Sequence, residues 1–165
     1  MIFAHYFSSR AALTLMALFF SGSVLAADSS WQLEAGWVRA VPPNARTTAA
    51  YLQVLNHAAK PLTIIAARTS ASDRTEVHDM LHENGLMKMV KLERLEVAAQ
   101  STLSLAPGGK QVMLMDLEQV PQEGSSVEVC LADTEGLERC LSLPVQRSAP
   151  SAENSLEQRH SEHHH

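Results

Sequence analysis

Residues Thr75–Glu93 read TEVHDMLHENGLMKMVKLE, and the fold turns on how this stretch is paired. Asn84-Gly85 at its centre is the dipeptide that a two-residue type I′ turn prefers, because both central residues of that turn need positive φ. A turn at that point predicts two antiparallel strands, Thr75–His82 and Leu86–Glu93. Their register sets Glu83 opposite Leu86, His82 opposite Met87, Leu81 opposite Lys88 and Met80 opposite Met89. Side chains alternate between faces along a strand. His78, Met80 and His82 therefore share one face with Met87 and Met89. A slip of one residue would send the whole set to the other side, so the turn type and the chemistry of this face are one expectation.

Working outward, no stretch sustains a helical period. Short runs of β-branched and apolar residues alternate with turn residues, which is the pattern of an all-β sandwich or barrel. The other expected strands are Leu33–Ala40, Ala49–Asn56, Leu62–Thr69, Ser101–Leu105, Gln111–Leu117, Ser126–Ala132 and Leu137–Val145. Turn signals separate them at Pro42-Pro43-Asn44, Asn56-His57, Pro107-Gly108-Gly109 and Glu123-Gly124. A second hairpin is legible at Asp133-Thr134-Glu135-Gly136. A three-residue loop with Gly136 in the left-handed conformation pairs Asp133 with Leu137 and puts Cys130 opposite Cys140. A cross-strand disulfide fits that placement. The competing reading of the pair is a thiolate metal site or redox couple, although nine intervening residues do not make a CxxC motif.

The two ends read differently. Arg10, the apolar run Ala11–Phe20 and the small residues around Val24-Leu25-Ala26 describe a secretory signal peptide over residues 1–26, cleaved after Ala26. The apolar run is too short to span a bilayer comfortably, which takes about 20 residues; an uncleaved anchor is the alternative. No lipobox cysteine is present, which argues against a lipid anchor. Residues 27–147 then form one β-domain in a periplasmic, oxidising space where a disulfide persists, with no membrane span in the mature chain. Residues 148–165 are a polar tail. Its His160 and His163–His165 could take Cu(II) or could be an expression-tag remnant. The whole chain has 165 residues, is 45% hydrophobic and carries a net charge of −5. That content opposes disorder, and the acidic balance opposes a nucleic-acid binder.

The unusual residues are seven Met and eight His. A strand Met is most often core filling. In Gln111-Val112-Met113-Leu114-Met115, however, the branched Val112 and Leu114 suit the core. Gln111, Met113 and Met115 are then left on the more exposed or site-facing side. Thioether and imidazole together suit Cu(I), a soft ion with a filled d shell. Mg²⁺ and Ca²⁺ want oxygen clusters, structural Zn²⁺ wants close-spaced Cys and His, and a blue-copper centre needs a Cys ligand beside two His. None of these patterns is present.

The chain resembles the periplasmic copper chaperone PCuAC family over most of its mature part, from about Trp37 to Val145. The resemblance is carried by Trp37-Val38-Arg39-Ala40, Thr48-Ala49-Ala50-Tyr51-Leu52, Val77-His78-Asp79-Met80, Gly85-Leu86-Met87-Lys88-Met89 and Val112-Met113-Leu114-Met115. The family motif runs His, ten residues, Met, twenty-one residues, His, one residue, Met. Here His78, Met89 and Met113 fall on that spacing, and Gln111 stands where the family has its second His. An amide is a poorer Cu(I) donor than imidazole. The resemblance therefore implies a three-ligand site of His78, Met89 and Met113, to which Gln111, Met80, His82, Met87 or Met115 could add a donor. It also implies a cupredoxin-like Greek-key barrel or sandwich. The implied function is delivery of Cu(I) by ligand exchange to a copper-carrying cytochrome oxidase subunit, alongside a Sco-type chaperone. No nucleophile–base arrangement or catalytic motif points to an enzyme. The rival reading is an extracytoplasmic β-sandwich interaction domain that has weakened or lost copper binding at Gln111.

Overall fold

The computed structural model describes residues 30–149. The expected signal peptide and the histidines of the tail lie outside the described residues. Ten strands and no helix occur among the described residues: β1 Trp31–Arg39, β2 Thr47–Asn56, β3 Leu62–Thr69, β4 Arg74–Glu83, β5 Leu86–Lys91, β6 Leu95–Val97, β7 Ser101–Leu105, β8 Gln111–Met115, β9 Ser126–Asp133 and β10 Glu138–Gln146. All nine strands expected from the sequence are present. The tenth, β6, was not expected: three residues show no period, and β6 is a strand only because Leu62, Thr63 and Ile64 of β3 pair with it.

The strands run in the order β5-β4-β8-β2-β1-β10-β9-β3-β6, with β7 pairing the far half of β2. The first five form one layer and the last four the other. The layers meet where β1 and β10 pair in parallel at Val38–Val145 and Arg39–Gln146. One apolar core fills the space between them, drawing Val38, Ala50, Leu52, Val77, Val112 and Leu114 from the first layer and Ile64, Leu95, Val129, Leu131 and Leu143 from the second. The result is the all-β sandwich that the alternating pattern predicts.

Two local features make this closure work. In β1 the register with β2 shifts between Glu34 and Trp37, and a bulge of this kind bends its strand. Beyond the bend, Val38 reaches β10. A Cβ on Gly36 would lie 2.4 Å from the Tyr51 carbonyl oxygen and 2.8 Å from a Leu143 methyl, so this approach is open only to glycine. At the other end of the core, Trp31 Nε1 donates to buried Asp133 Oδ2 at 2.9 Å, while Asp133 Oδ1 accepts the backbone N–H of Glu135 and Leu137. That carboxylate ties the β9–β10 turn to β1.

Candidate metal-binding face

The site is built on the outer face of the first layer, by the residues that alternate with the core. The type I′ turn is present, with φ of 52° at Asn84 and 78° at Gly85. It sets the expected register, Met80 opposite Met89 and His82 opposite Met87. On its other side β4 pairs with β8, placing His78 opposite Gln111, Glu76 opposite Met113 and Arg74 opposite Met115. Val77 and Val112 pair on the core side. One alternation thus separates apolar core from polar and thioether face on β4 and β8 alike.

The centre of this face is tightly arranged. Gln111 is only 6% exposed, and its Nε2 lies 3.9 Å from Met89 Sδ. Because Gln111 is on β8 and Met89 on β5, this contact crosses β4, the strand that carries His78. As expected, the Gln/Met side of β8 is the more exposed one: Met113 and Met115 are half-buried whereas Val112 and Leu114 are fully buried, although Gln111 itself is buried. Met89 covers the face from one side. From the other, Met113 packs against the small outer cluster of Trp37, Ala49 and Tyr51. The Trp37 and Tyr51 rings lie 4.8 Å apart, and the Arg39 guanidinium sits 5.4 Å from the Tyr51 ring. Burial pushes the Tyr51 phenol above its usual 10.0, against the pull of Arg39.

His78 has an acidic neighbour that the sequence reading did not single out. Its Nε2 is 2.8 Å from Glu76 Oε2, and the other carboxylate oxygen is 3.7 Å from Lys91 Nζ. The hydrogen bond to His78, with the charges of Lys91 and Arg74 adding to it and desolvation opposing, holds the Glu76 carboxyl below the usual 4.5. His78 Nδ1 is buried with no hydrogen-bond partner among the described residues. A signal was available: Glu76 lies two residues before His78 on a strand and so must share its face.

The remaining candidates flank this centre. Met80 is half-buried beside Met89, whereas His82 and Met87 are exposed near the hairpin tip, Met87 at 60%. Met115 lies at the opposite end, beside Arg74 and Thr47. Each end is four residues along β4 from His78, or about 13 Å. On this face His78 stands opposite Gln111, which touches Met89, and Met113 follows two residues along β8, opposite Glu76; His82, Met87 and Met115 lie further out. Asp79 points the other way, taking Lys110 Nζ at 2.8 Å, and Asp116 pairs with Arg74. A wide cleft of about 970 Å³ between segments 40–46 and 117–123 contains none of the candidate ligands.

Cys130 and Cys140 are directly paired and joined as a disulfide, with Cα atoms 4.0 Å apart. Glu128 lies beside them, but with both sulfurs in that bond no thiolate is available. The alternative of a thiolate metal site is not realised in this state. His57 is exposed in its loop, as its turn position suggests.

The chain that carries this face has sequence and structural relatives. The family described as "Putative lipoprotein LpqE-like" matches residues 31–145. The chain belongs to the LpqE-like family. A curated relative from Leifsonia xyli subsp. xyli, "Putative lipoprotein Lxx21020", is 30% identical over 124 residues, covering 74% of each chain. Among solved structures, apo-DR1885 from Deinococcus radiodurans is 28% identical, covers 90% of this chain and 97% of its own, and superposes with a TM-score of 0.57. The CuI form of DR1885 gives 27%, 78%, 84% and 0.57. The copper-bound PCuAC domain of PmoF2 gives 21%, 73%, 94% and 0.59. The LpqE-like chain thus has the cupredoxin-like fold of PCuAC domains.

Proposed function

We propose that this LpqE-like protein is an extracytoplasmic carrier that binds Cu(I) through His78, Met89 and Met113 and releases it by ligand exchange. The observation that supports the reading is that these residues lie on one face of the first layer. Two adjacent strand pairings set His78 beside Gln111 and Met113 beside Glu76, while the Gln111–Met89 contact draws the third donor across β4. Two thioethers and an imidazole are neutral and soft, a donor set that favours Cu(I) over hard divalent ions. Relatives solved in a copper-bound and a CuI form support the same reading.

The arrangement suits transfer rather than storage. Met89 is 42% exposed on β5, the edge strand of the sheet. An incoming thiolate or imidazole can therefore displace a thioether while His78, which is largely buried, still holds the ion. Acceptors of this chemistry include a copper-carrying oxidase subunit and a Sco-type thiol chaperone, the partners that the family resemblance implies. The role is that of a carrier, with copper as cargo and no turnover chemistry. Among the described residues no helix is long and apolar enough to cross a membrane, and the signal-like leader directs the reading to the periplasm.

The test is Cu(I) competition against a chromophoric chelator, using the full chain beside His78→Ala and Met113→Ala. The tail histidines are common to all three proteins and cancel in the comparison. Each variant is expected to bind at least about tenfold more weakly, the cost of a lost ligand or its support. Equal affinities would sink the site and leave the interaction-domain reading standing. Gln111→His is expected to tighten Cu(I) binding by restoring an imidazole donor; unchanged affinity would mean another group already fills that position.

A further inference from the structure

We infer that Glu76 is a positioning residue that fixes His78 in its Nε2–H tautomer, and thereby makes Nδ1 the nitrogen that binds the ion. The inference rests on the copper reading for the identity of the ion, but its structural part stands apart from it. An ionised carboxylate can only accept a hydrogen bond. At 2.8 Å from Glu76 Oε2, the His78 Nε2 must therefore carry the proton. In a neutral imidazole the lone pair then lies on the other nitrogen. That nitrogen, Nδ1, is the ring atom found buried without a hydrogen-bond partner among the described residues.

A buried polar atom left unpaired carries a desolvation cost, and in native structures it calls for a specific reason. A ligand-binding role supplies one. Metal-binding histidines ordinarily donate their second N–H to a carboxylate or carbonyl, which sets the tautomer, orients the ring and raises its basicity as a donor. Glu76 is placed for this by the sheet itself. It precedes His78 by two residues on the same face of β4, and its other oxygen faces Lys91, the β5 residue that pairs directly with His78. Glu76 also stands opposite Met113. The residue that orients the imidazole is thus the cross-strand neighbour of a thioether donor.

The experiment is a long-range ¹H–¹⁵N correlation of the histidine rings in the full-length protein, metal-free and after addition of Cu(I). Cu(I) affinity is measured in parallel for wild type, Glu76→Ala and Glu76→Gln. The metal-free wild type is expected to show His78 with a proton on Nε2 and none on Nδ1. On loading, the Nδ1 resonance should move while the Nε2–H persists. Glu76→Ala should lose the single tautomer and bind Cu(I) about 10- to 100-fold more weakly. Glu76→Gln retains an acceptor oxygen and should recover the tautomer and most of the affinity. A proton on Nδ1 in the metal-free wild type overturns the inference, as does loss of the Nε2–H on loading or unchanged affinity in Glu76→Ala. If the wild type binds no Cu(I) while His78 shows the Nε2–H form, the copper reading fails and the positioning by Glu76 survives.

Discussion

The molecule contains two hairpins whose registers are set by their turns, and they are put to opposite uses. The β9–β10 hairpin lies inside the sheet order, between β3 and β1. It is held by a cross-strand disulfide, by the buried Trp31–Asp133 bond and by two backbone donors to the same carboxylate. The β4–β5 hairpin has none of these locks. Its outer strand is an edge, and Leu86 and Met87 are exposed at 73% and 60%. The contrast shows where the fold keeps its stability and where it leaves side chains free to exchange partners, and stability of this local kind is known to vary across a single domain.

The largest effect that could break this contrast is at Asp133. Asp133→Ala removes three hydrogen bonds and leaves the Trp31 indole N–H buried without its acceptor, so unfolding in denaturant should show a loss of about 3 kcal/mol. A loss below about 1 kcal/mol would mean the β9–β10 turn is held elsewhere. Next comes the Cys130→Ser/Cys140→Ser double variant. The closed loop is short, so about 2–3 kcal/mol is expected by the chain-entropy account, with Cu(I) affinity unchanged because the pair is remote from the metal-binding face. Reduced affinity would tie the two hairpins together. On the other hairpin, Met87→Ala should change stability by less than about 0.5 kcal/mol, as befits an exposed side chain. A larger loss by thermal denaturation would show that the hairpin tip is packed after all.

The smallest effect sharpens the contrast through pH. The Glu76 carboxyl sits below 4.5 in the folded protein. Its contribution to stability is therefore present above pH 4.5 and is lost as the pH falls through the lowered folded value. A carbon-detected titration of Glu76 should give a midpoint below 4.5, and His78→Ala should move it upward. A midpoint at or above 4.5 in the wild type would contradict the Glu76–His78 contact.

Much of this was legible because the sheet obeys a period of two. The Asn84-Gly85 pair fixed the Met80–Met89 register, Gly136 fixed the Cys130–Cys140 pairing, and the branched Val112 and Leu114 assigned the faces of β8. What escaped the sequence depends on long-range partners. β6 is a strand only through pairing with β3. Gln111 is buried with Met89 reaching it across β4, and no local pattern announces that contact. Glu76 was visible in principle from its spacing but is an unremarkable residue type until its distance to Nε2 is known. The expected signal peptide and tail remain readings of the sequence.

The strict alternation along β8 has a consequence for how such a site can change over generations. Val112 and Leu114 answer to the core, Gln111 and Met113 to the outer face that carries the proposed ligands, and the two sets share a backbone without sharing neighbours. A point substitution at 111 can therefore retune the donor set while the fold stays intact, so metal affinity is free to drift residue by residue. A single inserted or deleted residue in the same strand has no such freedom, because it would exchange the two sets at once. Variation within this lineage should then accumulate as substitutions on the ligand face, with the length of β8 held constant.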